Sequence, residues 1–261
     1  MTGRIAATLI PVAAMLFVGV SGVSRRELPM AKKGALSHVR AIVITIDPVA
    51  FKFRLDLARK DQRLNPAWTI DSIPQDAVVA VNAGQFIGGF PWGWLVRDGI
   101  ETQPPGMGSL GMAFIVDSSD NVSLATQSEI PRARGHVLHA FQSYPALLVE
   151  GEIPWELQED GRGVNLLHRD SRLALCITSD GKLTIALTRV TALGSRGATL
   201  PYGPTIPEMA LYMRSLGCNR AMLLDGGLSS QLAVRDDRGR ITKWTNWRMV
   251  PLGLVVLIRA Q

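Results

Sequence analysis

Leu223-Leu224-Asp225-Gly226-Gly227-Leu228-Ser229-Ser230 is the stretch from which the fold of this chain can be read outward. An apolar run delivers a carboxylate at its C-terminal end. Two glycines then permit positive φ or close backbone approach, and two hydroxyls follow. Strand ends of this kind commonly carry functional side chains. The competing structural role is a tight turn in which Asp225 caps the glycines. Just upstream, Thr205-Ile206-Pro207-Glu208 fits a capping box, with the proline in the first turn, where a missing N–H does no harm. Met209, Tyr212, Met213 and Leu216 follow at helical spacing, and Gly217 is a natural stop. The pattern predicts a helix over 205–216 that packs on a sheet and feeds the strand ending at Asp225.

Working outward, apolar runs with strand character recur at Ala41–Ile46, Phe51–Leu57, Ala77–Val81, Gly111–Val116, Ala146–Val149, Leu173–Thr178, Leu183–Thr188, Ala221–Leu224 and Val250–Ile258. Turn signals such as Asp98-Gly99, Glu150-Gly151 and Asp180-Gly181 punctuate them. Asp180-Gly181 between two apolar runs predicts a hairpin. The fold class expected is α+β: a strand-rich mixed sheet with at least one packed helix.

The chain has 261 residues, 47% hydrophobic and 19% charged, which places it among globular rather than disordered proteins. Its net charge of +6 agrees with an anionic partner. No basic stripe interleaved with aromatics is present, so nucleic acid is not expected. Arg4 precedes an uncharged, mostly apolar stretch over 5–23, and small residues follow around Val20-Ser21-Gly22. The expectation is a signal peptide or N-terminal anchor over 1–24, a linker over 25–38 and one domain over 39–261. An extracytoplasmic location follows, with membrane contact only through an uncleaved N-terminus. Export would permit a disulfide between the only two cysteines, Cys176 and Cys218; two buried free thiols are the equal alternative.

Three further segments carry chemistry. Val81-Asn82-Ala83-Gly84 again ends a strand on a polar side chain, one able to hydrogen-bond a sugar. Gln142-Ser143-Tyr144-Pro145-Ala146-Leu147 places amide, hydroxyl and phenol groups before a buried strand. Asp170-Ser171-Arg172-Leu173-Ala174 puts an arginine, suited to bidentate phosphate recognition, at a strand start. His136 and His139 lack a carboxylate to complete a metal site, and no metal or other cofactor is indicated, although a divalent cation near Asp225 is not excluded.

In this order the four segments resemble the phosphodiester glycosidase family. Its pattern runs from an Asn-Gly/Ala-Gly strand end through Gln-Ser-x-Pro-x-Leu and an Arg-Thr-Ala-like strand to a Leu-Asp-Gly-Gly-Gly-Ser-Ser turn. Asn82, Gln142, Arg172 and Asp225 fall at the matching positions, as do the helix bearing Glu208 and the closing Arg248-Met249-Val250-Pro251. The resemblance spans roughly Ala77 to the C-terminus. Leu228 stands in place of the third glycine, Leu173 in place of threonine, and Cys176 where glycine is usual.

The resemblance implies hydrolysis of a sugar-1-phosphodiester in a phosphorylated glycan, in an exopolysaccharide or envelope setting. The alternative is a non-catalytic glycan-binding or assembly protein on the same fold. Asp225 is the expected general base or nucleophile, with Glu150 the second carboxylate. Arg172 is the expected phosphate clamp. Asn82, Gln142, Ser143, Gly226, Gly227, Ser229 and Ser230 are expected around the substrate. All should converge on one electropositive cleft, with Arg172 the nearest fixed cation to Asp225.

Overall fold

The computed structural model describes residues 20–58, 68–159, 164–191 and 199–259. The expected signal segment lies mostly outside them. Among the described residues, no helix is long and apolar enough to cross a membrane.

Strands dominate. A six-stranded sheet has the spatial order β1 (Val23–Pro29), β2 (Val39–Ile46), β14 (Leu183–Val190), β13 (Leu173–Thr178), β15 (Cys218–Leu224) and β12 (Ala146–Leu148). A five-stranded sheet runs β10 (Val122–Thr126), β9 (Met112–Asp117), β11 (Val137–Ser143), β7 (Leu95–Arg97), β8 (Ile100–Gln103). A second runs β17 (Ile241–Trp244), β16 (Leu232–Arg235), β4 (Ala77–Asn82), β18 (Leu252–Ile258), β3 (Phe51–Leu57). A small hairpin, β5 (Gln85–Ile87) with β6 (Phe90–Trp92), stands apart. Helix α1 (Ile130–Ala133) is a single turn; α2 (Ile206–Ser215) is the one substantial helix among the described residues.

The expected mixed sheet is corrected: every strand pairing among the described residues is antiparallel. The reason lies in β13. It pairs antiparallel with both β14 and β15, so these two run the same way without touching, and α2 lies between them in the chain. The α+β expectation therefore holds only coarsely, because one helix rests on a mostly β molecule.

Alternation along the strands sorts the core. Leu173, Leu175, Ile185 and Leu187 point to the central cluster shared with both five-stranded sheets. Ala174, Cys176, Ala186 and Ala221 point the other way, toward Met209, Ala210 and Met213 of α2. Small residues on that face let the helix approach closely, while large ones fill the space between sheets. The capping box is formed: Glu208 N–H donates to the Thr205 hydroxyl at 3.3 Å, and Thr205 N–H donates to the Glu208 carboxylate at 2.8 Å. Cys176 and Cys218 form a disulfide joining β13 to β15 beneath the helix, so the free-thiol alternative is set aside.

The linker expected over 25–38 is also corrected at its start. Residues 23–29 form edge strand β1, registered against Arg40 to Ile46 of β2, and Val23 is buried in the central core. Charged side chains masked this strand in the sequence, and edge strands tolerate them. Arg25 reaches across to stack 4.6 Å over the Trp244 ring.

Candidate active site

Asp225 leaves the end of β15 and enters a short turn closed by Ser229 N–H donating to Gly226 C=O at 3.1 Å. Its backbone is held from both sides. Asp225 N–H donates to Gly84 C=O at 3.1 Å, and Asn82 Nδ2 donates to Asp225 C=O at 2.8 Å. Asn82 Oδ1 accepts from Gln231 N–H at 2.8 Å. Asn82 is fully buried and so ties two strand ends together rather than presenting its amide to a sugar.

The Asp225 side chain lines a cavity of about 150 Å³ together with Asp170, Arg172, Tyr144, Gln85 and Gly226. Burial raises the Asp225 carboxyl from the usual range to about 6. A hydrogen bond from the Ser229 hydroxyl and the charge of Arg248 oppose that rise, and the like charge of Asp170 adds to it. Ser229 is buried in the same turn and is the hydroxyl that favours the ionised carboxylate.

Several expected substrate contacts are structural instead. Gln142 is buried, with Oε1 accepting from Trp94 N–H at 2.8 Å and Gly106 N–H at 2.7 Å, and Nε2 donating to Leu110 C=O at 3.2 Å. Ser143 donates to Leu223 C=O, and Ser230 donates to Gly227 C=O at 2.8 Å. Gly226 lines the cavity, but both glycines answer first to a packing constraint. A Cβ on Gly226 would lie 2.6 Å from Ser171 C=O, and one on Gly227 2.6 Å from the Asp170 carboxylate.

Glu150 is corrected as the second carboxylate. It starts a tight turn at φ 50° on the exposed surface, where it pairs with Arg220 and accepts from Asn219 Nδ2 at 3.2 Å. Asp170 takes that place in the cavity, its Oδ1 accepting from Ser171 N–H at 2.7 Å. Its position two residues before Arg172 was the only sequence signal, and nothing in the local pattern set it above other loop carboxylates.

Arg172 does face the cavity, but its Nε donates to Pro204 C=O at 3.0 Å and one terminal nitrogen donates to His168 C=O. It clamps two loops, and burial lowers its proton affinity. Arg248 is the cation whose charge favours the ionised form of Asp225. Arg248 is exposed at the closing motif, its guanidinium 4.8 Å over the Phe86 ring, and its backbone N–H donates to Leu228 C=O at 2.9 Å. Among the described residues, no cluster of three His, Cys, Asp or Glu side chains is arranged to hold a metal.

This arrangement, a carboxylate on a Gly-Gly turn facing a small polar cavity with cations beside it, fits hydrolysis of an anionic substrate. The phosphodiester glycosidase family model matches residues 75–257, and the chain belongs to that family. Among solved structures it is similar to the catalytic domain of zebrafish N-acetylglucosamine-1-phosphodiester alpha-N-acetylglucosaminidase, auto-inhibited by its pro-peptide. The TM-score is 0.68 at 16% identity, covering 95% of this chain and 88% of that one. It is also similar to a hypothetical protein from Synechocystis, with a TM-score of 0.62 at 15% identity, covering 91% of this chain and 62% of that one. At such identities the likeness is one of fold. No curated protein matches the chain in sequence.

Proposed function

We propose that this protein hydrolyses the C1–O bond of a sugar-1-phosphodiester, releasing free sugar and a phosphate monoester, with Asp225 as the base that activates water. The observation that carries this reading is the Asp225 carboxyl itself: half-sheltered in the cavity, with its proton affinity raised to about 6. A carboxylate near that value is mostly ionised at neutral pH and is a better proton acceptor than one in the ordinary range. Water attacks C1 while Asp225 takes its proton. The C1–O bond breaks and its electron pair leaves with the phosphate. A phosphate monoester has a second pKa of about 6, so it departs without a strong proton donor. This is how one carboxylate can suffice where most glycosidases use two. Arg248, with Arg172 behind it, offsets the charge developing on the leaving group.

The family and the chemistry of the cavity support a phosphorylated glycan as substrate. An exopolysaccharide or envelope setting and an extracytoplasmic location belong to the same proposal. The Cys176–Cys218 disulfide supports export, because such bonds persist mainly outside the reducing cytoplasm. The apolar stretch over 5–23 supports it too.

The deciding experiment incubates purified protein with N-acetylglucosamine-1-phosphodiesters in water labelled with ¹⁸O. Free sugar carrying the label is the expected product. Sugar phosphate with label on phosphorus would overturn C–O cleavage, and no release from any sugar-1-phosphodiester would favour a glycan-binding role.

A further inference from the structure

We infer that Asp170 is a positioning residue of this site, a second functional carboxylate that acts through Asp225. The inference rests on the proposed hydrolysis and concerns how its base is kept effective.

The geometry comes from the packing of two segments far apart in sequence. Gly227 N–H donates to Ser171 C=O at 2.7 Å, which docks the turn after Asp225 onto the segment carrying Asp170. The contact is so close that neither turn glycine has room for a Cβ. Asp170 cannot withdraw from the turn without breaking this contact, and it cannot turn away freely, because Oδ1 is held by Ser171 N–H. Both carboxylates line the same small cavity, so the charge of Asp170 acts on Asp225 at close range.

The cations around the pair are mostly engaged elsewhere. Arg172 and Tyr144 share the cavity, but two guanidinium nitrogens of Arg172 are engaged with backbone carbonyls. The His168 ring nitrogen lies 3.7 Å from Asp170 Oδ2 on an exposed side chain. Arg169 is paired with Glu208. On the Asp225 side stand Arg248 and the Ser229 hydroxyl, both favouring the ionised form. Asp170 is the one neighbouring charge that works with burial to raise the proton affinity of Asp225. A carboxylate at this position also disfavours the substrate phosphate on its own side of the cavity. The phosphate is thereby directed toward Arg248, and the sugar toward the two carboxylates.

The test is Asp170→Asn, which retains an oxygen acceptor for Ser171 N–H, read by two measurements. One follows the Asp225 side-chain carboxyl by ¹³C NMR against pH, without substrate. The other is the pH profile of kcat/KM. Loss of the like charge should lower the Asp225 midpoint and move the acidic limb of the profile down by a matching amount, with turnover at neutral pH reduced but not abolished. An unchanged Asp225 midpoint in a folded variant overturns the inference. A shifted midpoint in a protein that hydrolyses nothing would overturn the proposed reaction while leaving the coupling of the two carboxylates standing. Asp170→Ser, which also keeps a short acceptor, serves the same comparison if the asparagine variant does not fold.

Discussion

Gly227 sits against the Asp170 carboxylate at φ +54°, with so little space that an added Cβ would lie 2.6 Å from Oδ2. The turn that presents Asp225 is therefore built against the strand start carrying Arg172, and the two cannot move independently. Gly227→Ala should be poorly tolerated on both grounds. A left-handed backbone costs a non-glycine residue about 1–2 kcal/mol, before any displacement of Asp170. The expected outcome is a lower unfolding midpoint together with a larger fall in turnover, measured side by side by thermal unfolding and sugar release. Normal turnover would show that the close packing of turn and strand is unimportant to the site.

Asp225→Asn separates catalysis from stability. The variant keeps an oxygen to accept from the Ser229 hydroxyl but loses the base, which should reduce the rate by ~10²–10⁴-fold. Its effect on folding has the opposite sign. The folded-state carboxyl is raised from 3.8 to about 6, so the wild type is favoured in its protonated form and loses stability as pH climbs through that window. That rise corresponds to roughly 3 kcal/mol. Asp225→Asn should therefore unfold at a higher temperature than wild type at pH 8, and the difference should vanish below about pH 4. Equal stability at pH 8 would contradict the burial of this charge.

Arg248→Gln removes an exposed cation that stacks on Phe86 and forms no ion pair among the described residues. Folding should barely change. A charge-assisted contact to phosphate is worth about 1.5–3 kcal/mol, so KM should rise by roughly tenfold or more. The acidic limb of the pH profile should also move upward, because Arg248 favours the ionised Asp225. That is the opposite direction to the shift expected for Asp170→Asn. An unchanged KM would assign the phosphate to Arg172 alone.

Gln142→Leu tests a residue expected around the substrate that is instead a brace. Leucine leaves the Trp94 and Gly106 N–H groups without the acceptor they now share. Buried unsatisfied donors cost about 1–3 kcal/mol each, so stability should drop by about 2–4 kcal/mol. Denaturant unfolding should report this, while kcat per folded molecule should stay near wild type. A selective rise in KM with normal stability would return Gln142 to the substrate.

Much of the architecture was legible locally. The capping box at Thr205, the hairpin at Asp180-Gly181 and the apolar runs that became β2, β3, β4, β9, β12, β13, β14, β15 and β18 are written in short-range patterns. Hydrophobic period, cap chemistry and turn preference act over a few residues, so they survive translation from sequence to structure. Asp225 was legible for the same reason, standing where an apolar strand meets paired glycines. Strand β1 was not, because an edge strand can be as polar as Arg25-Arg26-Glu27 and is defined by its partner β2 rather than by its own pattern.

The roles within the site were decided by tertiary structure. Asn82, Gln142 and Arg172 carry side chains that suit a phosphorylated sugar equally well in one dimension; only folding reveals that backbone groups already occupy most of their hydrogen-bonding capacity. Glu150 and Asp170 are both loop carboxylates beside plausible motifs. The first turns outward to Arg220 and the second inward beside Asp225, a difference set by which segments pack together. The sequence by itself determined the strand that ends in a carboxylate and the helix that leads to it, because those depend on neighbouring residues. Which carboxylate joins Asp225, and which cation acts on it, depends on contacts between residues far apart in the chain, and only the packed structure brings those together.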